Sequence, residues 1–235
     1  MTSESPAPVV SRFIAALPRR VAARVLASCE SVELAESQVL YEPGDTVRHV
    51  YFPTSSFVSL ITPVHGHVGL EVGMVGNEGM LGAALALGVD TTPYRCLVQG
   101  AGLAWRMTAI ALRAELAREP SLKRRINRYL CMRLAQTARS AGCTRFHVVD
   151  ERLARWLLMT QDCAHSPHLH LTHEFLACML GMRRAGITTA ATALQDRQLI
   201  AYHRGEVTVL DRTGLEAAAC GCYRADRESF DSLLG

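Results

Sequence analysis

One stretch limits this chain more than any other: "LTHEFLACMLGMRRAGITTAATALQDRQLI", residues 171–200. Two short helical patterns meet there at Gly181. Leu176, Met179 and Leu180 form an apolar face before the glycine, with Phe175 beside them. After it, Ile187, Ala190, Ala191 and Leu194 recur at helical spacing and face inward. Thr172 suits the N-cap of the first helix, since its hydroxyl oxygen can accept from free backbone N–H groups. That leaves Arg183, Arg184, Ala185, Thr188, Thr189 and Thr192 on the outer face of the second helix. "LIAYHRGEVTVLD" follows as two β-prone runs around "HRGE", a hairpin. Helix, glycine turn, helix and hairpin together spell a winged helix-turn-helix.

The residue types on the outer face suit DNA. The N-terminal part of a recognition helix meets base edges in the major groove. Arginine reaches guanine O6 and N7 together, and threonine offers a hydroxyl and a methyl group. Arg184 is therefore expected at a base, with Arg183, Thr188 and Thr189 next. Thr172, His173 and Arg204 are expected to set register through phosphates. The alternative for the arginine pair is a solvated helix start. A formal charge of only +3 over 235 residues does not make the whole surface a polyanion binder, so the case rests on local charge.

Upstream the periodicity changes twice. Residues 11–30 are helical in pattern, with Phe13, Ile14, Leu17, Val21, Val25 and Leu26 in phase and Pro18 marking a junction of two short helices. From Val32 to Met107 short β-prone runs alternate with turns: "QVLY", "HVYFP", "FVSLIT", "GLEVGMV", "YRCLVQ" and "GLAWRM". "EPGD" at 42–45 and "HGH" at 65–67 read as turns. Many short strands of this kind suggest a sandwich or barrel. A helix around Leu112 and Leu116 stops at Pro120. A longer one runs from Ser121, with Leu122, Ile126, Leu130, Leu134 and Thr137 as its stripe, Tyr129 beside it and Arg124, Arg125, Arg128 and Arg133 off it. It packs on its own domain or pairs with a copy of itself. Gly142 is expected to hinge it to the amphipathic "VVDERLARWLLMTQ".

These features resemble the cyclic-AMP receptor protein/fumarate–nitrate regulator (CRP/FNR) family of bacterial transcription factors. The resemblance runs from Val32 to Asp211 and rests on "VLYEPGD", on the long helix leading into "ERLARWLL", and on residues 171–200. It implies an α+β chain. An N-terminal helix and jelly-roll β-domain resembling cyclic-nucleotide-binding domains would span 1–120, a dimerisation helix 121–142, and a winged helix-turn-helix DNA-binding domain 143–235. It further implies a homodimer on a two-fold-symmetric operator in double-stranded DNA, contact with RNA polymerase, a small-molecule effector and a cytoplasmic location.

The sequence departs from that family in two places. Ala185 and Thr189 stand where the recognition helix often carries glutamate and a second arginine, so the operator of its best-known member does not carry over. In the effector segment Gly82 is followed by alanine, and Tyr94–Arg95 has its arginine one place late. The pocket residues are thus Gly82, Tyr94, Arg95 and Thr137, and the effector is not expected to be cyclic AMP. Arg95 would hold an anion only if a bulge turned it inward, because a one-residue slip reverses the face.

Other chemistry finds less support. Eight cysteines are scattered and, with no export signal in "MTSESPAPVV", are expected as free thiols. An iron–sulfur centre usually needs four clustered thiolates. Cys163, His165, His168, His170 and His173 are zinc-type residues without finger or ribbon spacing. Cys220 and Cys222 close the module as "CGC", which leaves a metal or redox role open. Cys178 is a redox candidate on the exposed side of the first short helix. No catalytic residue, cofactor, metal site or membrane span is assigned, since no phosphate loop or nucleophile elbow is present. The alternative function is a sensory or adaptor protein of the same fold acting through protein contacts. A metal-dependent β-roll enzyme is the remaining reading, and it leaves residues 143–220 without a purpose.

Overall fold

Alternating burial explains the first half of the computed structural model, which describes residues 11–166 and 168–235; "MTSESPAPVV" lies outside these residues. Two short helices, α1 (Arg12–Ala15) and α2 (Arg19–Ala27), meet at Pro18 as the sequence predicts. They bury Phe13, Ile14, Leu17, Val21 and Val25. The strands β1 (Glu30–Leu34), β2 (Val39–Tyr41), β3 (His49–Pro53), β4 (Phe57–Val64), β5 (His67–Val75), β6 (Arg95–Gly100) and β7 (Gly102–Thr108) build two antiparallel sheets, ordered β1-β7-β3 and β2-β6-β4-β5. Strand β1 has no clear signal in the sequence, because only Leu34 of its five residues is buried and no alternation marks it. The apolar run at 79–89 becomes a tight 3-10 turn, Ala83–Leu87, bracketed by Gly82 and Gly88, both in the left-handed region.

Next come α3 (Ala109–Arg118) and α4 (Pro120–Phe146). Pro120 sits in the first turn of α4, where its missing N–H costs nothing. Helix α4 corrects two expectations. It continues through Gly142 to Phe146, so the break falls at His147. Its apolar residues also divide between two faces. Leu122, Ile126, Tyr129 and Met132 enter the β-roll core, while Leu134 is 72% exposed.

Helix α5 (Val149–Ala164) opens the second module, followed by β8 (His168–His170), α6 (His173–Leu180), α7 (Arg184–Asp196), β9 (Ile200–His203) and β10 (Glu206–Val209). The three strands form one antiparallel sheet ordered β8-β10-β9. Two helices unread in the sequence complete the chain, α8 (Arg212–Ala218) and α9 (Cys222–Leu234). Helix α9 returns along α4 and places Leu234 in the β-roll core. Arg125 of α4 holds it there, donating to the Leu234 carbonyl at 3.2 Å and to that of Phe13 at 3.0 Å.

The modules share a second core. Phe57, Ile61 and Met74 of the four-stranded sheet pack with Leu153, Trp156, Leu176 and Leu180. Within this contact Trp156 Nε1 donates to Glu71 Oε1 at 2.8 Å.

Candidate nucleic-acid interface

The burial of α7 follows its sequence period. Ile187, Ala190 and Leu194 are fully buried and Ala191 nearly so. Arg183, Arg184, Ala185, Thr188, Thr189 and Thr192 are all exposed. Arg183 is the N-cap residue and Arg184 the first helical residue. Among the described residues neither arginine has an acidic partner, and the same holds for Arg204. Two unpaired guanidinium groups therefore stand at the positive end of a helix dipole, a favourable place for an anion.

The turn before α7 is built by two devices. Gly181 adopts the left-handed conformation (φ +62°) that ends α6. A Cβ at Gly181 would also come within 2.9 Å of Leu70 Cδ1, so the turn sits close against β5. Arg152 of α5, buried beneath the turn, donates to the Leu180 carbonyl at 2.6 Å and lies 3.0 Å from Met182 Sδ. It was invisible in the sequence, because an arginine in an amphipathic helix reads as solvated.

Thr172 caps α6 as predicted, accepting from the Phe175 N–H at 3.1 Å. His173 behaves differently from the phosphate contact expected of it. Its ring stacks on Tyr202 with centroids 4.3 Å apart, and its Nδ1 lies 3.0 Å from Thr188 Oγ1. Burial, then the Arg184 charge, hold the imidazole below its usual pKa. Because the Thr188 hydroxyl donates to the Arg184 carbonyl, the Nδ1–H tautomer is the one that can donate to Thr188; Nε2 is buried without a partner among the described residues. His173 thus braces α6, α7 and β9 against one another.

The hydroxyls of Thr188 and Thr189 turn back to the Arg184 and Ala185 carbonyls, each at 3.1 Å. Such back-bonding occupies their donors. The wing turns at Arg204 and Gly205, both with positive φ (49° and 88°), and Arg204 is exposed. Beside it His170 Nδ1 and Glu206 Oε1 are 2.6 Å apart, and this carboxylate raises the imidazole pKa.

The expected effector residues do not all converge. Gly82, Tyr94 and Thr137 line a cavity of about 280 Å³ between the β-roll and α4, mostly walled by apolar groups such as Leu60, Val72 and Met80. Arg95 is absent from it. No bulge turns that side chain inward; it is 46% exposed and faces Glu42 at 3.6 Å. Gly82 has its own structural cause, since a Cβ there would lie 2.8 Å from Val50 Cγ1. Arg133 is the cation at this cavity, and it donates to the Met74 carbonyl at 2.9 Å.

The thiols and histidines also separate. Cys178 is half-buried rather than exposed, and burial raises its pKa, which disfavours the reactive thiolate. His165 Nε2 lies 2.8 Å from Asn77, His168 Nδ1 lies 3.1 Å from Thr208, and Cys163 is buried. The residues that do converge are Cys143, His147, Cys220 and Cys222, whose donor atoms all lie within 4.8 Å of one another. The signals for them were "CTRFH" at 143–147 and "CGC" at 220–222, which sequence distance kept apart.

The described residues thus join a β-roll through a long helix to a winged helix-turn-helix. Residues 151–218 match the family model of the Crp-like helix-turn-helix domain. These residues therefore carry a Crp-like helix-turn-helix domain. Solved structures add the fold of the remainder. The c-di-GMP responsive global regulator CLP of Xanthomonas campestris is 20% identical with a TM-score of 0.67, over 82% of this chain and 99% of that one. FixK2 from Bradyrhizobium japonicum is 10% identical with a TM-score of 0.69, over 82% and 98%. A CRP/FNR-family transcriptional regulator from Thermus thermophilus, TTHA1359, is 20% identical with a TM-score of 0.66, over 81% and 98%. No curated protein sequence matches the chain. No helix among the described residues is long and apolar enough to cross a membrane.

Proposed function

We propose that this chain is a sequence-specific transcription regulator that binds a two-fold-symmetric operator as a homodimer. The observation that carries the reading is the exposed, acid-free start of α7, where Arg183 and Arg184 stand beside small residues. Arg184 reads a base, Arg183 and Arg204 hold phosphates, and Thr172 borders the site. Thr188 and Thr189 present methyl groups, because their hydroxyls are occupied; a thymine methyl is their natural partner.

Helix α4 supplies the dimer contact. Asn127, Cys131, Leu134, Ala138 and Ala141 are all exposed and recur at spacings of four and three, the pattern of a coiled-coil seam. Two copies joined there would set two α7 helices in successive major grooves. The effector, where one acts, is a small and largely apolar molecule in the 280 Å³ cavity rather than a cyclic nucleotide, since Arg95 points away from that space. RNA polymerase is the expected protein partner and the cytoplasm the expected location.

Selection of the purified chain against random duplex DNA tests the reading. A symmetric motif is expected. Arg184→Ala then costs about 1–3 kcal/mol and relaxes one base pair per half-site. Uniform weakening over all sequences would move Arg184 to the phosphate contacts, and no motif at all would favour the protein-contact adaptor.

A further inference from the structure

The four residues gathered where α4 ends serve neither the DNA face nor the cavity in the β-roll. Cys143 lies in the last turn of α4, and His147, the residue that caps that helix, is tied back to it by an N–H donated to the Cys143 carbonyl at 3.1 Å. Cys220 lies in the link between α8 and α9, and Cys222 opens α9, with Gly221 between them. Cys143, Cys220 and Cys222 are buried at 3%, 6% and 9% exposure, and His147 is half-buried at the rim. The Cys143 and Cys220 sulfurs lie 3.5 Å apart, and Cys222 Sγ lies 3.6 Å from His147 Nδ1.

Those separations have a chemical meaning. Zinc bonds of about 2.3 Å to sulfur and about 2.0–2.1 Å to nitrogen place tetrahedral ligands about 3.8 Å apart for two sulfurs and about 3.5 Å for sulfur and nitrogen. A disulfide between Cys143 and Cys220 would leave Cys222 and His147 converging on nothing. An iron–sulfur cluster would hold its ligands on separate irons, too far apart for donors all within 4.8 Å. We propose that Cys143, His147, Cys220 and Cys222 bind one tetrahedral Zn²⁺ as a closed Cys₃His site.

The surroundings suit that charge. Three thiolates, a neutral imidazole and Zn²⁺ sum to one negative charge, and binding releases up to three protons from the thiols. Buried Arg155 lies beside Cys143, with its Nε unpartnered among the described residues and a terminal nitrogen on Asp226 at 2.7 Å. Soft sulfur ligands in a closed set of four mark a structural rather than a catalytic ion. The ion ties the last turn of α4 to the start of α9, and so fixes where the long helix ends and α5 begins.

The test uses the full chain, purified reduced and without a histidine tag or chelator. Elemental analysis is expected to give one zinc per chain. Stripped protein titrated with Co²⁺ is expected to show the ligand-field bands and thiolate charge-transfer absorption of a tetrahedral sulfur-rich site, displaced by one equivalent of Zn²⁺. Cys143→Ser and Cys222→Ser are expected to lose or shift that spectrum; Cys29→Ser, at a half-buried thiol between α2 and β1, keeps it. Should either serine variant fail to fold, Cys222→His retains four ligands and gives a spectrum with weaker thiolate absorption. A folded, reduced wild type that takes up neither ion overturns the proposal. So does a cobalt spectrum that both serine variants share with wild type, or a Cys143–Cys220 disulfide in the reduced preparation.

Discussion

Glu71 carries a pH dependence that can be worked out from its contacts. It lies between the modules, on β5, accepting from Trp156 Nε1 at 2.8 Å. Ser59 Oγ is 2.6 Å from its other oxygen and also touches Gln99 Oε1. Burial pushes the carboxyl from its ordinary 4.5 up to about 7, against the hydrogen bonds from Ser59 and Trp156 and the charges of Arg133 and Arg155. The folded state therefore binds this proton more tightly than the unfolded chain. Its contribution is complete below the unfolded value and is lost as pH rises through the folded one. A shift of that size ties about 3 kcal/mol of stability to the proton. Glu71→Gln keeps a neutral acceptor for Trp156 and cannot ionise. The variant is expected to match wild type near pH 4.5 and to exceed it by about 3 kcal/mol at pH 8. For a chain of this size that is about 6–12 °C in Tm. Thermal unfolding of both proteins across that range measures it. A difference between them that is the same at every pH would refute the reasoning.

Two further outcomes follow from buried and exposed groups on the long helices. Leu134→Glu puts a charge on the exposed seam of α4; sedimentation is expected to find a monomer that still melts at the wild-type temperature, and an unchanged assembly would place the dimer contact elsewhere. Arg152→Met removes the donor to the Leu180 carbonyl and is expected to cost about 1.5–3 kcal/mol in urea unfolding, the worth of a charged hydrogen bond; no loss would mean that Gly181 alone holds the turn.

Some of this structure was legible because it is local. The inward face of α7, the Thr172 cap, the Gly181 turn and the β9–β10 hairpin each depend on residues a few positions apart. Helix α4 was only half legible. One period runs through it, but two surfaces compete for its apolar residues, and Leu134 fell on the outer one. His173 had the chemistry of a phosphate contact until Tyr202 and Thr188 took up its ring. Helices α8 and α9 carried little signal, since their few buried residues, such as Leu215 and Leu234, pack on distant partners.

What the sequence determined by itself was the winged helix-turn-helix and the strand-rich module before it, because side-chain period and turn chemistry act over one or two turns of chain. Tertiary structure alone decided three things. It turned Arg95 outward to Glu42, brought Glu71 against Trp156, and closed Cys143 and His147 on Cys220 and Cys222. Each joins residues whose separation along the chain carries no periodic signal, and only packing of whole elements sets the distance between them.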